Sequence, residues 1–223
     1  MPKSIVQRFH PLIRPGLHLG AVGSKLPIHS RQSALDSLCA IHCCVMALQV
    51  TGRVADPSRI ATGRRKIEVA IRRKAAEIFD KGMTLPALAD FIAGLDSGLR
   101  TKLLEHGSHR QAVLFIEREL KRKRLVVASF RAVGDSHNHA VLAIGIEGTQ
   151  RSTRIKSHAL LILDPAEVPP EPMATCNARL DYADRESGEL PRYGAYLTAA
   201  GAKFAAVLNG AVSVDASDPE KPP

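Results

Sequence analysis

Three residues of the chain carry side chains that can act together on a carbonyl carbon: Cys39, His139 and Asp164. Cys39 lies at the start of an apolar segment with helical spacing, where unpaired N–H groups favour a thiolate. His139 leads an apolar, strand-like segment, and Asp164 ends the next such segment. A thiol becomes an effective nucleophile when a base takes its proton and a third group orients that base. The three residues therefore predict a cysteine hydrolase in which Cys39 attacks, His139 is the base and Asp164 orients it.

Other residues of the same types compete for these roles. Cys43 and Cys44 lie deeper in the same helix, so we expect them in the core. His137 could serve as the base, but it leads no apolar strand that would hold its ring, and we rank it below His139. Cys39 has an alternative role as a buried thiol that packs like a small apolar side chain. Helix position alone does not decide its role, and the downstream histidine is what favours the nucleophile.

The segments that must position these residues change character along the chain. Asp36 or Ser37 can cap the first helix, and Gly52 is a stop signal after it. Residues 57–124 have helical patterns throughout, and Thr84 can cap one of these helices. Apolar, β-branched runs then alternate with polar turns, which is typical of strands. We expect strands at Leu125–Phe130, His139–Ile146, His158–Leu163, Tyr193–Leu197 and Phe204–Leu208.

Helices followed by strands predict an α+β fold. The length of 223 residues fits one domain. Residues 1–30 are rich in Pro, Gly and His and should form an irregular lead-in. Residues 31–212 should form the catalytic domain, with a helical part at 36–124 and a sheet part at 125–212. Residues 213–223 should be a flexible tail.

Composition excludes some classes of protein. No apolar stretch reaches the roughly 18 residues of a membrane span, and no secretory signal is evident, so we expect a cytoplasmic protein without a membrane span. Three of the four cysteines fall within six positions of one helix, which is poor geometry for a disulfide framework. In a reducing compartment such cysteines are buried, metal-binding or catalytic.

The net charge is +9, and it is concentrated in short clusters. The clusters are Arg64-Arg65-Lys66, Arg72-Arg73-Lys74 and Lys121-Arg122-Lys123-Arg124. Basic faces of this kind can bind phosphates, but no aromatic residues are interleaved here to stack on bases, which argues against nucleic acid as a partner. An acidic partner or substrate at the basic helices is compatible with the charge.

The spacing of several residues resembles a known family, the papain-like cysteine peptidases that process double-glycine leaders of bacteriocins, together with their stand-alone relatives. The residues that carry the resemblance are Gln32, Cys39, Met46, Leu48, His139, Gly145, Asp164 and Pro165. It implies a papain-like fold, with an N-terminal helical half followed by an antiparallel β-sheet half. It also implies the Cys39-His139-Asp164 triad, with Gln32 as side-chain oxyanion donor beside the Cys39 N–H. The expected substrate is a peptide or protein, and no metal or organic cofactor is required.

Two features depart from the family pattern and keep alternatives open. Ala40 stands where a glycine usually follows the nucleophile, and Gln32 lies seven residues before Cys39. A catalytically inactive papain-like binding protein is therefore the second hypothesis. A zinc-binding or structural protein is the third, because several thiols and imidazoles could act as ligands, although no standard zinc spacing occurs. Those candidate ligands are Cys39, His42, Cys43, His137, His139 and Cys176.

Overall fold

A closed barrel of six antiparallel strands forms the centre of the molecule in the computed structural model, which describes residues 4–152 and 154–216. The described elements are β1 (Ser4–Phe9), β2 (Ile13–Arg14), β3 (Gly20–Ala21), α1 (Cys39–Val50), α2 (Lys66–Glu77), α3 (Leu85–Ala93), β4 (Arg100–Leu104), α4 (His109–Lys121), β5 (Leu125–Ala132), β6 (His139–Arg151), β7 (Arg154–Leu163), β8 (Ala178–Asp181), β9 (Gly194–Thr198) and β10 (Lys203–Asp215). A 3₁₀ turn at Pro57–Ala61 separates α1 from α2.

The barrel runs through β6, β5, β10, β9, β8 and β7, and closes because β7 pairs with β6. β6 and β10 are the longest of the described strands and extend past their barrel neighbours. Each of them therefore pairs with one additional antiparallel strand, β1 on β6 and β4 on β10. The short strands β2 and β3 form a separate hairpin.

This arrangement shows that the expected α+β, papain-like fold was wrong. The sheet is closed into a barrel and is not confined to the second half of the chain, because β1 precedes every α-helix and pairs with β6. β4 likewise interrupts the region expected to be helical throughout, and pairs with β10. The physical reason is long-range hydrogen bonding between strand edges, which local residue patterns do not reveal.

The ends of the chain also differ from the irregular segments expected there. The described part of the lead-in contains β1, β2 and β3. At the other end, Ser213–Asp215 belong to β10, where their backbone pairs with β4 and β5. Residues 217–223 of the expected tail lie outside the described residues.

Two apolar cores lie on opposite faces of the barrel strands. Leu125 and Val127 of β5 belong to a first core with α1 and α3, whereas Val126 and Ala128 belong to a second core. Strand side chains alternate between faces, so one continuous apolar run supplies both cores. The second core takes residues from all six barrel strands and therefore fills the barrel. It also includes one face of α4. None of the helices in the described ranges is long and apolar enough to cross a bilayer.

The expected helix signals of the first half are confirmed at most positions. Gly52 has a φ of +72° just after α1 ends, and Thr84 accepts a hydrogen bond from the Ala87 N–H at the start of α3. The cap of α1 differs, because Leu38 occupies that position and Asp36 accepts from its N–H at 3.0 Å. Cys39 is consequently the first residue of α1.

Part of the basic run after α4 neutralises a buried carboxylate. Glu119 is fully buried, and Arg124 donates to its Oε2 at 2.7 Å. Arg118 and Arg122 contact its other oxygen at 3.1 and 3.4 Å. A buried charge is costly unless it is paired, so these arginines stabilise the end of α4 as well as contributing to the net charge.

Gly145 tests the pairing of β1 with β6. A Cβ at this position would lie 2.4 Å from the Arg8 carbonyl oxygen of β1. We expect Gly145→Ala to push β1 away from β6 and to lower the free energy of unfolding by about 1–3 kcal/mol. Gly16→Ala is the control, because a Cβ there meets its nearest atom at 3.7 Å. Urea denaturation of both variants checks this, and equal midpoints would contradict it.

Candidate active site

The packing of α1 against β6 places Cys39 beside the start of that strand. One turn further along α1, the Cys43 thiol donates to the Ala140 carbonyl oxygen at 3.4 Å. Ala140 directly follows His139, so this contact fixes the helix next to the histidine. Cys39 itself is half-buried and is a free thiol.

His139 and Asp164 meet at the same end of the barrel. Leu142 of β6 pairs with Leu163 of β7, so Asp164 follows directly after the paired segment. The Nε2 atom of His139 lies 2.7 Å from Oδ1 of Asp164. Because Nε2 contacts the carboxylate, Nδ1 is the ring nitrogen that remains for a second partner.

Cys39 and His139 perturb each other's ionisation. Burial raises the pKa of the Cys39 thiol, but the hydrogen bond and charge of His139 and the N–H groups of Ala140 and Ala40 outweigh it, and the pKa falls below its ordinary value. Burial lowers the pKa of His139, yet Asp164 and Cys39 outweigh that effect and raise it to about 10. The two shifts favour the same state, a thiolate beside an imidazolium.

Asp164 is almost fully buried, with 3% of its surface exposed, and it has several hydrogen-bond partners. Its Oδ1 also accepts from the Ala166 N–H at 2.8 Å, and its Oδ2 accepts from the Tyr196 hydroxyl at 2.6 Å. Burial raises the pKa of this carboxyl, but these donors, His139 above all, lower it below its ordinary value. Asp164 is therefore held as an anion at the barrel end.

Asn177 holds the backbone of Asp164. Its Oδ1 accepts from the Asp164 N–H at 2.7 Å, and its Nδ2 donates to the Asp164 and Val168 carbonyl oxygens at 2.9 and 2.8 Å. Sequence reasoning missed both Asn177 and Tyr196. Asn177 falls in a proline-containing segment that resembles a surface loop, and Tyr196 is one aromatic residue of an expected strand. No local signal links either of them to Asp164, because both contacts depend on barrel closure.

Gln32 lies next to the residue that follows Asp164. Its N–H donates to the Pro165 carbonyl oxygen at 2.8 Å, which anchors this loop at the site. Its side-chain Nε2 donates to the Asp36 carbonyl oxygen at 2.6 Å, and Oε1 is buried. One amide hydrogen of Gln32 is thus directed at the loop before α1, and its role as an oxyanion donor stays a prediction.

The competing residues lie in different surroundings. Burial raises the pKa of Cys44 to about 12 and raises that of Cys43 well above its ordinary value, so both remain neutral thiols. The His137 side chain is 92% exposed and contacts Asp135 at 3.1 Å. Among the residues that the structure describes, no three His, Cys, Asp or Glu side chains are grouped as ligands for a metal ion.

No protein-family model matches the chain, and no curated protein matches its sequence significantly. The resemblance to cysteine peptidases therefore stays a prediction, and it depends on the residues and contacts described above.

Proposed function

We propose that this protein is a cysteine hydrolase that cleaves a peptide or isopeptide bond with Cys39 as nucleophile. The observation that carries the proposal is the contact of His139 with Asp164 at 2.7 Å, beside a Cys39 thiol whose pKa the histidine lowers while the pKa of the histidine itself is raised. Perturbed pKa values with specific charge partners are typical of catalytic groups.

The first chemical step is attack by the Cys39 thiolate on the substrate carbonyl. His139 holds the proton that the thiol has lost, and Asp164 stabilises the resulting imidazolium. The carbonyl oxygen becomes an oxyanion, which needs hydrogen-bond donors in place before the reaction. The first N–H groups of α1 have no partners within the helix and can supply them, with Gln32 as the proposed side-chain donor.

The second step releases the products. The His139 imidazolium gives its proton to the leaving amine, and an acyl group stays on the Cys39 sulfur. Neutral His139 then takes a proton from water, and the hydroxide equivalent attacks the thioester. Collapse of this second intermediate frees the acid and restores the thiolate–imidazolium pair. Acyl transfer to an amine would use the same residues with a different acceptor.

The surroundings support two further parts of the proposal. All four cysteines are free thiols, which supports a reducing compartment such as the cytoplasm. Arg64, Lys66 and Arg73 of the α2 region are exposed, which supports an acidic substrate or partner on this face. These three residues are not among the arginines paired with Glu119.

Selective alkylation tests the activated thiol. At pH 6 we expect iodoacetamide to modify Cys39 faster than Cys43, Cys44 or Cys176, because only the pKa of Cys39 is lowered. His139→Ala should slow this reaction by about tenfold or more, since one pKa unit changes the thiolate fraction about tenfold. Peptide mapping by mass spectrometry measures both rates.

His137→Ala is the matched control for this experiment. It removes the same type of side chain from an exposed position and should leave the alkylation of Cys39 unchanged. Alkylation of Cys39 no faster than that of Cys176, together with no effect of His139→Ala, would contradict the activated thiolate.

The titration of His139 tests the role of Asp164. We expect the imidazole to lose its proton near pH 10 in the intact protein. In Asp164→Asn it should lose the proton at a lower pH, because the carboxylate that stabilises the imidazolium is gone. NMR of labelled histidine rings measures both curves. Asp135→Asn, which removes the carboxylate beside His137, should leave the His139 curve unchanged. A similar shift of the His139 pKa in this variant would contradict the role given to Asp164.

Turnover of p-nitrophenyl acetate tests the complete reaction. We expect a burst of p-nitrophenol, an acetyl adduct on Cys39 and then slow turnover, because the acyl-enzyme must be hydrolysed. Cys39→Ala should reduce the rate to that of buffer, whereas Cys176→Ala should retain it. Equal rates for wild type and Cys39→Ala would rule out this nucleophile.

A further inference from the structure

The two oxygens of the Asp164 carboxylate have different partners. Oδ1 accepts from His139 and from the Ala166 N–H, whereas Oδ2 accepts from the Tyr196 hydroxyl at 2.6 Å. Asp164 and Tyr196 are 3% and 1% exposed, so bulk water has little access to replace this hydroxyl. Loss of the Tyr196 hydroxyl would leave a charged oxygen buried without that donor, which is costly.

Tyr196 is a permanent donor in this contact. Burial, followed by the negative charge of Asp164, raises the pKa of its phenol well above the ordinary value. The hydroxyl therefore keeps its proton at any pH near neutrality and can only donate to the carboxylate, which accepts. The contact restrains the carboxylate at Oδ2 while His139 contacts Oδ1.

Two phenylalanines fix the Tyr196 ring. Its centroid lies 4.5 Å from that of Phe130 and 5.2 Å from that of Phe204. Phe130 also contacts the His139 ring, with centroids 5.6 Å apart in an edge-to-face geometry. One aromatic cluster thus packs against both the histidine and the tyrosine, so the two partners of Asp164 are positioned together.

We propose that Tyr196 is a positioning residue of the site, whose hydroxyl keeps Asp164 ionised and directed at His139. This role depends on the proposed function, because it acts through the Asp164–His139 pair and touches no reacting atom. Tyr196 sets the direction of the carboxylate, and Phe130 and Phe204 set the place of the tyrosine. Asn177 adds the backbone restraint, so both the main chain and the side chain of Asp164 are fixed.

The substitution Tyr196→Phe tests this role, since it keeps the ring and removes only the hydroxyl. We expect the pKa of Asp164 to rise by roughly one to two units, because a carboxylate that loses a donor binds a proton more tightly. Turnover of p-nitrophenyl acetate should fall about tenfold or more with KM unchanged, because Tyr196 does not contact substrate. NMR titration of the ¹³C-labelled carboxyl of Asp164 measures the first effect directly.

Tyr182→Phe is the matched control. Tyr182 directly follows β8 and is as buried as Tyr196. Its hydroxyl donates to the carboxylate of Glu117. Its loss should lower stability through the same kind of contact, while the Asp164 titration and the turnover stay as in the wild type. A purely structural role for Tyr196 predicts that both phenylalanine variants behave alike, and that result would overturn the proposal.

A second measurement needs no substitution. In the wild type the Tyr196 hydroxyl proton should exchange slowly with water, and its chemical shift should follow the titration of Asp164. A rapidly exchanging proton would overturn the contact even if Tyr196→Phe failed to fold. The two proposals can be told apart, because full turnover in Cys39→Ala would contradict the hydrolase, whereas an Asp164 titration unchanged by Tyr196→Phe would contradict the positioning role alone.

Discussion

The pairing of β6 with β7 is the constraint on which the rest of the structure depends. It closes the barrel, and it brings the first residue of one strand close to the residue that follows the other. His139 and Asp164 are 25 positions apart in the chain, and their contact exists because this pair of strands is antiparallel and aligned at Leu142 and Leu163. The aromatic cluster and the packing of α1 against β6 then add to a geometry that the strand pairing has already determined.

The site holds charged groups where burial makes ionisation unfavourable. Burial opposes ionisation of Cys39, His139 and Asp164, and in each case specific partners reverse its effect. The reversal depends on these partners staying in place, because loss of one of them would leave a charge buried without compensation. The arginines around Glu119 likewise compensate a buried charge at the end of α4, where they stabilise the fold.

Residue patterns identify the residues at the ends of helices and strands. They identify the fold that brings those residues together less well. Cys39, His139 and Asp164 could be selected because each stands where a helix starts or a strand begins or ends, and residue patterns report such boundaries. Barrel closure could not be predicted, since an apolar run such as Leu125–Phe130 indicates a buried strand without naming its neighbours. Tyr196 and Asn177 were missed for the same reason: their contacts with Asp164 come from β9 and from the chain just before β8, and no spacing in the sequence records them.

Gly145 connects the position of the outer strand β1 with the strand that carries His139. His139 and Gly145 belong to the same strand, and β1 approaches the backbone closely at the glycine. If β1 shifted by one residue along β6, the side chain of Ile144 or Ile146 would meet the Arg8 carbonyl instead of a glycine. The glycine therefore favours one register of β1 on this strand. Gly145 thus sets the position of the outer strand along the strand whose first residue contacts Asp164.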